Sequence, residues 1–112
     1  MSEQDALDWE LFSVSDLREQ LGEDSVAYKQ FLSVPALSCG LYRLKAGSKD
    51  MQSPHDDDEV YYVLEGEAQV EIAGDVKDVR PGDLIYIRAT ETHRLFEVKQ
   101  DMLLLVFFSN AK

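Results

Sequence analysis

The chain has a single cysteine, half as many basic as acidic side chains, no long apolar run and almost no helical periodicity, and each scarcity removes a class of protein. With Cys39 alone, no intrachain disulfide and no thiolate metal cluster can form. Its setting, Leu37-Ser38-Cys39-Gly40-Leu41, offers no adjacent His or Arg to lower the thiol pKa, so a buried small hydrophobe is expected rather than a nucleophile. Eleven Lys and Arg against 22 Asp and Glu give a net charge of -11, which opposes binding to nucleic-acid phosphates and to anionic membrane surfaces. Neither is expected as a partner. No apolar stretch reaches the roughly 20 residues of a membrane helix, and Met-Ser-Glu-Gln-Asp at the start lacks the basic and apolar parts of a secretion signal. The expectation is a soluble, cytoplasmic protein.

What is present is β-forming. The 112 residues, 45% apolar, suffice for one core and one module. Residues 1–25 read as an N-terminal extension: it is acidic, and Ser15 is a plausible N-cap for a short helix through Asp16–Leu21 that Gly22 would stop. Residues 26–112 read as the β-domain. Val26–Val34 and Ala36–Leu44 are strands on either side of a bend at Pro35, and Val60–Leu64 is an apolar and aromatic run suited to a strand covered on both faces. Ala68, Val70 and Ile72 alternate with polar residues, Gly74-Asp75 turns the chain, and Leu84–Ile87, His93–Val98 and Met102–Phe108 complete the set. Many short strands separated by turn signals predict a closed or sandwiched all-β architecture, with room for a ligand at one mouth.

The two histidines of the chain, His55 and His93, are the functional clue. His55 and Glu59 lie an even number of residues apart, so an extended backbone would direct both to one face. Two imidazoles and a carboxylate suit a divalent Fe, Mn, Ni, Cu or Zn ion, and with open positions they form the arrangement of non-haem iron oxygenases. The plainer alternative is that these are ordinary hydrogen-bonded or surface residues, and that Glu59 and Asp56–Asp58 form a solvated acidic turn.

From about Gly47 to Glu97 the chain resembles the cupin superfamily, in particular the small single-domain bacterial cupins. That family's first motif is His-x-His, three or four residues, Glu, six residues, Gly; here His55, Glu59 and Gly66 match, and Ser53 stands at the first histidine position. Its second motif is Gly, five residues, Pro-x-Gly, two residues, His, three residues, Asn; Gly82 and His93 match, whereas Arg88, Thr90 and Glu97 replace the Pro, Gly and Asn. Asp58–Glu67 and Arg80–Asp83 are similar to the corresponding segments of those proteins in wording as well as spacing. The resemblance implies an all-β fold, the cupin-type double-stranded β-helix or jelly-roll barrel, with a short N-terminal helix. It implies a divalent metal ion held by His55, Glu59 and His93, with Asp57 as an alternative donor on the same parity. A small-molecule ligand and a homodimer are expected as partners. The activity expected is metal-dependent enzymology, either dioxygenase-like or isomerase- and lyase-like; a non-catalytic small-molecule binder and a metal-free relative are the alternatives. The pocket is expected to draw on Tyr42, Met51, Tyr61, Tyr86, Leu95 and Phe107.

Overall fold

The structure, a computed structural model, describes residues 8–50 and 55–109. Among the described residues eight strands follow one helix: α1 Val14–Glu19, β1 Val26–Val34, β2 Leu37–Leu44, β3 Glu59–Glu65, β4 Ala68–Ile72, β5 Asp75–Val79, β6 Leu84–Ile87, β7 His93–Phe96 and β8 Met102–Ser109. All strand pairs are antiparallel. They build a five-stranded sheet in the order β1-β2-β8-β3-β6 and a three-stranded sheet in the order β5-β4-β7. This is the jelly-roll type of architecture expected from the sequence. Among the described residues no helix is long and apolar enough to cross a membrane.

Strand parity sorts the side chains. Tyr42 and Leu44 of β2, Tyr61 and Val63 of β3, and Met102, Leu104 and Val106 of β8 face inward against Ala68, Val70 and Leu95 of the smaller sheet. At roughly 1.5–3 kcal/mol for each fully buried aliphatic or aromatic side chain, this core is the main source of stability. The opposite face of the large sheet carries Leu41 and Leu103, covered by Leu17 and Leu21 from the N-terminal segment, with Phe12, Phe31 and Leu64 packed alongside. Phe12 and Phe31 meet edge to face at 4.8 Å between centroids. The β3 run is therefore covered fully on its inner side and only partly outside, where Val60, Tyr62 and Leu64 are all half-buried although Leu64 packs with the N-terminal segment.

The helix begins two residues earlier than the sequence suggested. Ser13, not Ser15, is the N-cap: its carbonyl accepts from Leu17 N at 3.0 Å and its Oγ from Asp16 N at 3.5 Å. Ser15 falls within the first turn, where its hydroxyl lies 2.9 Å from that of Ser13. After Gly22, in the left-handed region at φ +76, the Arg43 guanidinium donates to the carbonyls of Gly22 and Asp24, and Lys45 Nζ to that of Glu23. These bonds fasten the extension to β2. The turn from β3 to β4 is set by Gly66, at φ +92, whose backbone passes against that of Asp101 and Met102 at the start of β8.

Candidate metal centre

Glu59 opens β3, where its register partners are Ile87 and Phe108, and its side chain enters the barrel interior. His93 opens β7 opposite Ile72 and enters the same end from the other sheet. Oε1 of Glu59 and Nε2 of His93 lie 3.2 Å apart, and both side chains are only 1% exposed. With His93 neutral, no hydrogen bond spans this contact, and both Glu59 carboxylate oxygens and His93 Nε2 are buried without a hydrogen-bond partner; with His93 protonated, the two form an ion pair. Buried polar atoms almost always have partners, and three crowded together call for one they can share. Where a proton is the one shared, the Glu59 carboxylate as acceptor raises the His93 pKa above the ordinary imidazole value; burial lowers it, and the Glu91 carbonyl and the charges of Glu59 and Asp50 raise it further.

His55 completes the group. One donor atom from each of His55, Glu59 and His93 lies within 4.8 Å of the others. An ion about 2.0–2.2 Å from each donor would draw them to within about 4.4 Å of one another, a small tightening of this cluster. His55 does not reach it along a strand, however: β3 starts only at Glu59, and the chain bends at Asp56 and Asp57. Its position is fixed across the barrel end, where its carbonyl accepts from Thr90 N at 2.6 Å and its ring lies 5.0 Å from that of Phe108. The turn over residues 88–92 grips the second histidine too, since the Glu91 carbonyl lies 3.0 Å from His93 Nδ1. That bond makes Nδ1 the protonated nitrogen and leaves the Nε2 lone pair toward Glu59. Asp58 anchors the turn, its Oδ1 accepting from Ala89 N at 2.8 Å and from Tyr86 OH at 3.5 Å, while its carbonyl accepts from Ser109 N. Sequence reasoning treated Asp58 as solvated surface; only the fold shows what its carboxylate touches.

Two of the motif departures acquire a physical meaning. Thr90 and Glu97, at the positions where the resembled family has Gly and Asn, sit at φ +68 and φ +49. Both are left-handed, the conformation that Gly and Asn adopt most easily and that costs other residues about 1–2 kcal/mol. Glu97 also explains why the expected strand His93–Val98 ends at Phe96. Glu97→Asn is expected to stabilise the protein by about 0.5–1 kcal/mol, read as a rise in Tm of about 2–6 °C by scanning calorimetry; an unchanged or lower Tm would remove strain at this position from the account.

Beside the group a cavity of about 450 Å³ is lined by Tyr28, Gln30, Ser38, Tyr42, Asp57, Phe108 and His55. Tyr42 is where the sequence suggested, and Tyr61 stands 6.0 Å from the His93 ring. Leu95 belongs to the core. Tyr86 and Phe107 do not join the pocket: both pair with Val60, so they face outward, and Tyr86 is 62% exposed. Tyr28, Gln30, Ser38 and Phe108 were missed; the available signal was that Phe108 shares parity with the core residues Leu104 and Val106. Ser53 and Met51 lie outside the described residues. Asp57 borders the cavity but is not among the three converging donors.

Comparison with known proteins bears on this arrangement. A family model described as "Cupin domain" matches residues 40–108. An uncharacterized protein of Streptomyces coelicolor is 36% identical over 98 residues, covering 88% of this chain and 93% of the relative. The crystal structure of TT1209 from Thermus thermophilus superposes with a TM-score of 0.76 at 24% identity, over 90% of this chain and 97% of that one. The DMSP lyase DddQ from Ruegeria pomeroyi gives a TM-score of 0.72 at 20% identity, over 77% of this chain and 47% of the enzyme. At these identities the solved structures show a shared fold alone.

Proposed function

The chain belongs to the cupin domain family, and from that premise we propose that it is a metal-dependent cytoplasmic enzyme acting on a small organic molecule, with His55, Glu59 and His93 as the protein ligands of one divalent ion. The observation that carries this reading is the trio of buried, unpartnered atoms, Oε1 and Oε2 of Glu59 and Nε2 of His93, with His55 beside them. Fe, Mn, Ni, Cu and Zn all suit such donors, and three protein ligands leave positions free for other molecules. The ion would supply either oxidative chemistry of the dioxygenase kind or the Lewis-acid activation used by isomerases and lyases. The chain's own residues do the holding: Glu91 sets the His93 tautomer, Thr90 places His55, and Tyr61 packs against the His93 ring. Residues 26–112 act as the barrel domain, and residues 1–25 as an extension. Oxygen uptake and product analysis with small diketones, thiols and phenols, using metal-reconstituted protein, test the catalytic part. Saturable binding without turnover would overturn it.

Asp58 gives a separate check. Asp58→Ala removes the acceptor that anchors the 88–92 turn, and it is expected to lower metal affinity about 10–100-fold, as loss of groups that orient metal ligands does elsewhere. Asp58→Asn retains an oxygen acceptor and is expected to restore most of it. Competition with a chelating dye measures both, and equal affinity in all three proteins would detach the turn from the site.

The assembly is a homodimer. β1 is an edge strand of nine residues with exposed Val26 and Tyr28, and Trp9 and Leu11 are 79% and 86% exposed. A second copy would cover this apolar surface. Light scattering coupled to gel filtration is expected to give twice the mass of one chain; a single-chain mass would contradict it.

A further inference from the structure

One contact shapes the cavity beside the metal-ligand group. β1 and β2 present Tyr28, Gln30, Ser38 and Tyr42 to it, and Phe108 with His55 closes the opposite side. Gly40 lies between the two β2 residues, and the end of the Tyr28 ring, with its hydroxyl, occupies the space that a β-carbon at Gly40 would take. A side chain there would push the phenol away. Because the atoms in the way are the far end of a flexible side chain, the strand itself would not have to move. Gly40 therefore fixes where the Tyr28 hydroxyl stands, and Tyr42 supports the ring edge to face, 6.1 Å between centroids.

Few groups on these walls have a proton left to give. The Tyr42 hydroxyl donates to buried Asp50 Oδ1 at 2.7 Å, Ser38 is already engaged, and Gln30 is exposed at the rim. Asp57, as a carboxylate, accepts rather than donates. The Tyr28 hydroxyl makes no hydrogen bond among the described residues, so it is open to a ligand. Burial first, then the charges of Glu59 and Cys39, push its phenol up to about 12, so it keeps its proton. An ion held by Glu59 would offset the second cause and leave the first.

The strand register gives the span from this donor to the metal-ligand group. Gly40 pairs with Val106 of β8, and Val106 with Tyr61 of β3, the next inward residue after Glu59. Two strand spacings separate β2 from β3, so the hydroxyl over Gly40 stands about 10 Å across the sheet from the strand that carries Glu59. Aromatic rings bound the space between, about 450 Å³ in all, within the roughly 300–1,000 Å³ of small-molecule sites. A ring-sized molecule fills that gap with one end at each pole. An ion at the inner pole takes an oxygen ligand, neutral or anionic, so the requirement that the wall itself adds is an acceptor at the outer pole.

We infer that Tyr28 is a ligand-binding residue of this site: held over Gly40, its hydroxyl donates to an oxygen or nitrogen acceptor on a ring-sized ligand whose other end reaches the metal-ligand group. The inference rests on the reading that cavity and metal-ligand group form one site, but its test does not need the ion. Ion content is measured first, and each protein is titrated as purified and again after stripping with chelator. Acetophenone carries a carbonyl acceptor; α-methylstyrene has the same shape with a methylene in place of the oxygen. The stripped protein decides, because there the carbonyl has no ion to turn to. Acetophenone is expected to move the Tyr28 Cζ NMR signal. Tyr28→Phe keeps the ring and is expected to weaken acetophenone about three- to tenfold while leaving α-methylstyrene within about twofold. Gly40→Ala displaces the hydroxyl without removing it and is expected to weaken acetophenone to a similar degree. Equal acetophenone affinity in wild type and Tyr28→Phe, or no binding to wild type, overturns the inference; wild-type affinity in Gly40→Ala overturns the part assigned to Gly40. A protein that holds no ion yet loses acetophenone on Tyr28→Phe keeps the inference and loses the metal reading; one that holds an ion and binds acetophenone equally without the hydroxyl does the reverse.

Discussion

Protein purified without chelator and without a histidine tag is expected to carry about one divalent ion per chain, and the His55→Ala, His93→Ala double variant none. The expectation follows from chemistry that the barrel leaves unfinished. A carboxylate and an imidazole buried to 1% exposure, 3.2 Å apart, cost free energy that a shared proton offsets only at one carboxylate oxygen, leaving the other without a partner. An ion would satisfy both oxygens and the imidazole nitrogen at once, and His55 lies where it can contribute a further donor. Single variants should rank in a definite order. His93→Ala leaves Glu59 buried and alone, so it is expected to lose the ion and some stability; His55→Ala, at a half-buried loop position, is expected to weaken binding with a smaller effect on Tm. Elemental analysis of the wild type and the three variants reads the first effect and calorimetry the second. Negligible metal in wild type and double variant alike would sink the metal site.

Gly66→Ala is expected to destabilise the fold by about 3 kcal/mol or more, enough to reduce soluble yield and to lower the denaturation midpoint sharply. Two penalties coincide there. At φ +92 any L-residue is strained. A β-carbon would also fall 2.7 Å from Met102 Cα and closer still to the Asp101 carbonyl, backbone atoms at the entry to β8, the strand in the middle of the large sheet. Asp101 cannot easily move aside, because its Oδ1 accepts from Ala46 N at 2.8 Å. Gly74→Ala is the control: it too has positive φ, at +87, but open space around it, so it should show the backbone penalty alone, about 1 kcal/mol. Equal midpoints for the two variants in guanidinium would show that the close approach to β8 contributes nothing.

The contrast between legible and hidden features follows from the range of the interactions involved. Strand positions were legible because β4 alternates apolar with polar residues, β8 is a continuous apolar run, and Gly66, Gly74 and Gly82 punctuate the chain locally. The candidate ligands were legible through motif spacing, although the parity argument for His55 was mistaken: its place is set by Thr90, thirty-five residues away in the chain. Ser13 outcompeted Ser15 as the cap because Leu17 and Leu21 had to meet Leu41 and Leu103, a packing demand that no local pattern encodes. Tyr28 and Phe108 were hidden for the same kind of reason. Their facing depends on the β1–β2 and β2–β8 registers, and one residue of slip would have exchanged Phe108 for Phe107.

The 88–92 turn has a kinetic consequence. Both histidines are held by its backbone, through Thr90 N and the Glu91 carbonyl, and the turn is fastened by the Asp58 carboxylate on Ala89 N and by Ala73 N donating to the Thr92 carbonyl at 3.1 Å. It belongs to no strand ladder, so it can detach without unfolding either sheet. Exchange of the Ala89 and Thr90 amides with solvent would then report the opening that releases His55, while His93 stays in the β7 ladder opposite Ile72. An ion held there would lose its His55 contact at the pace of that hinge, far faster than the folded barrel unfolds.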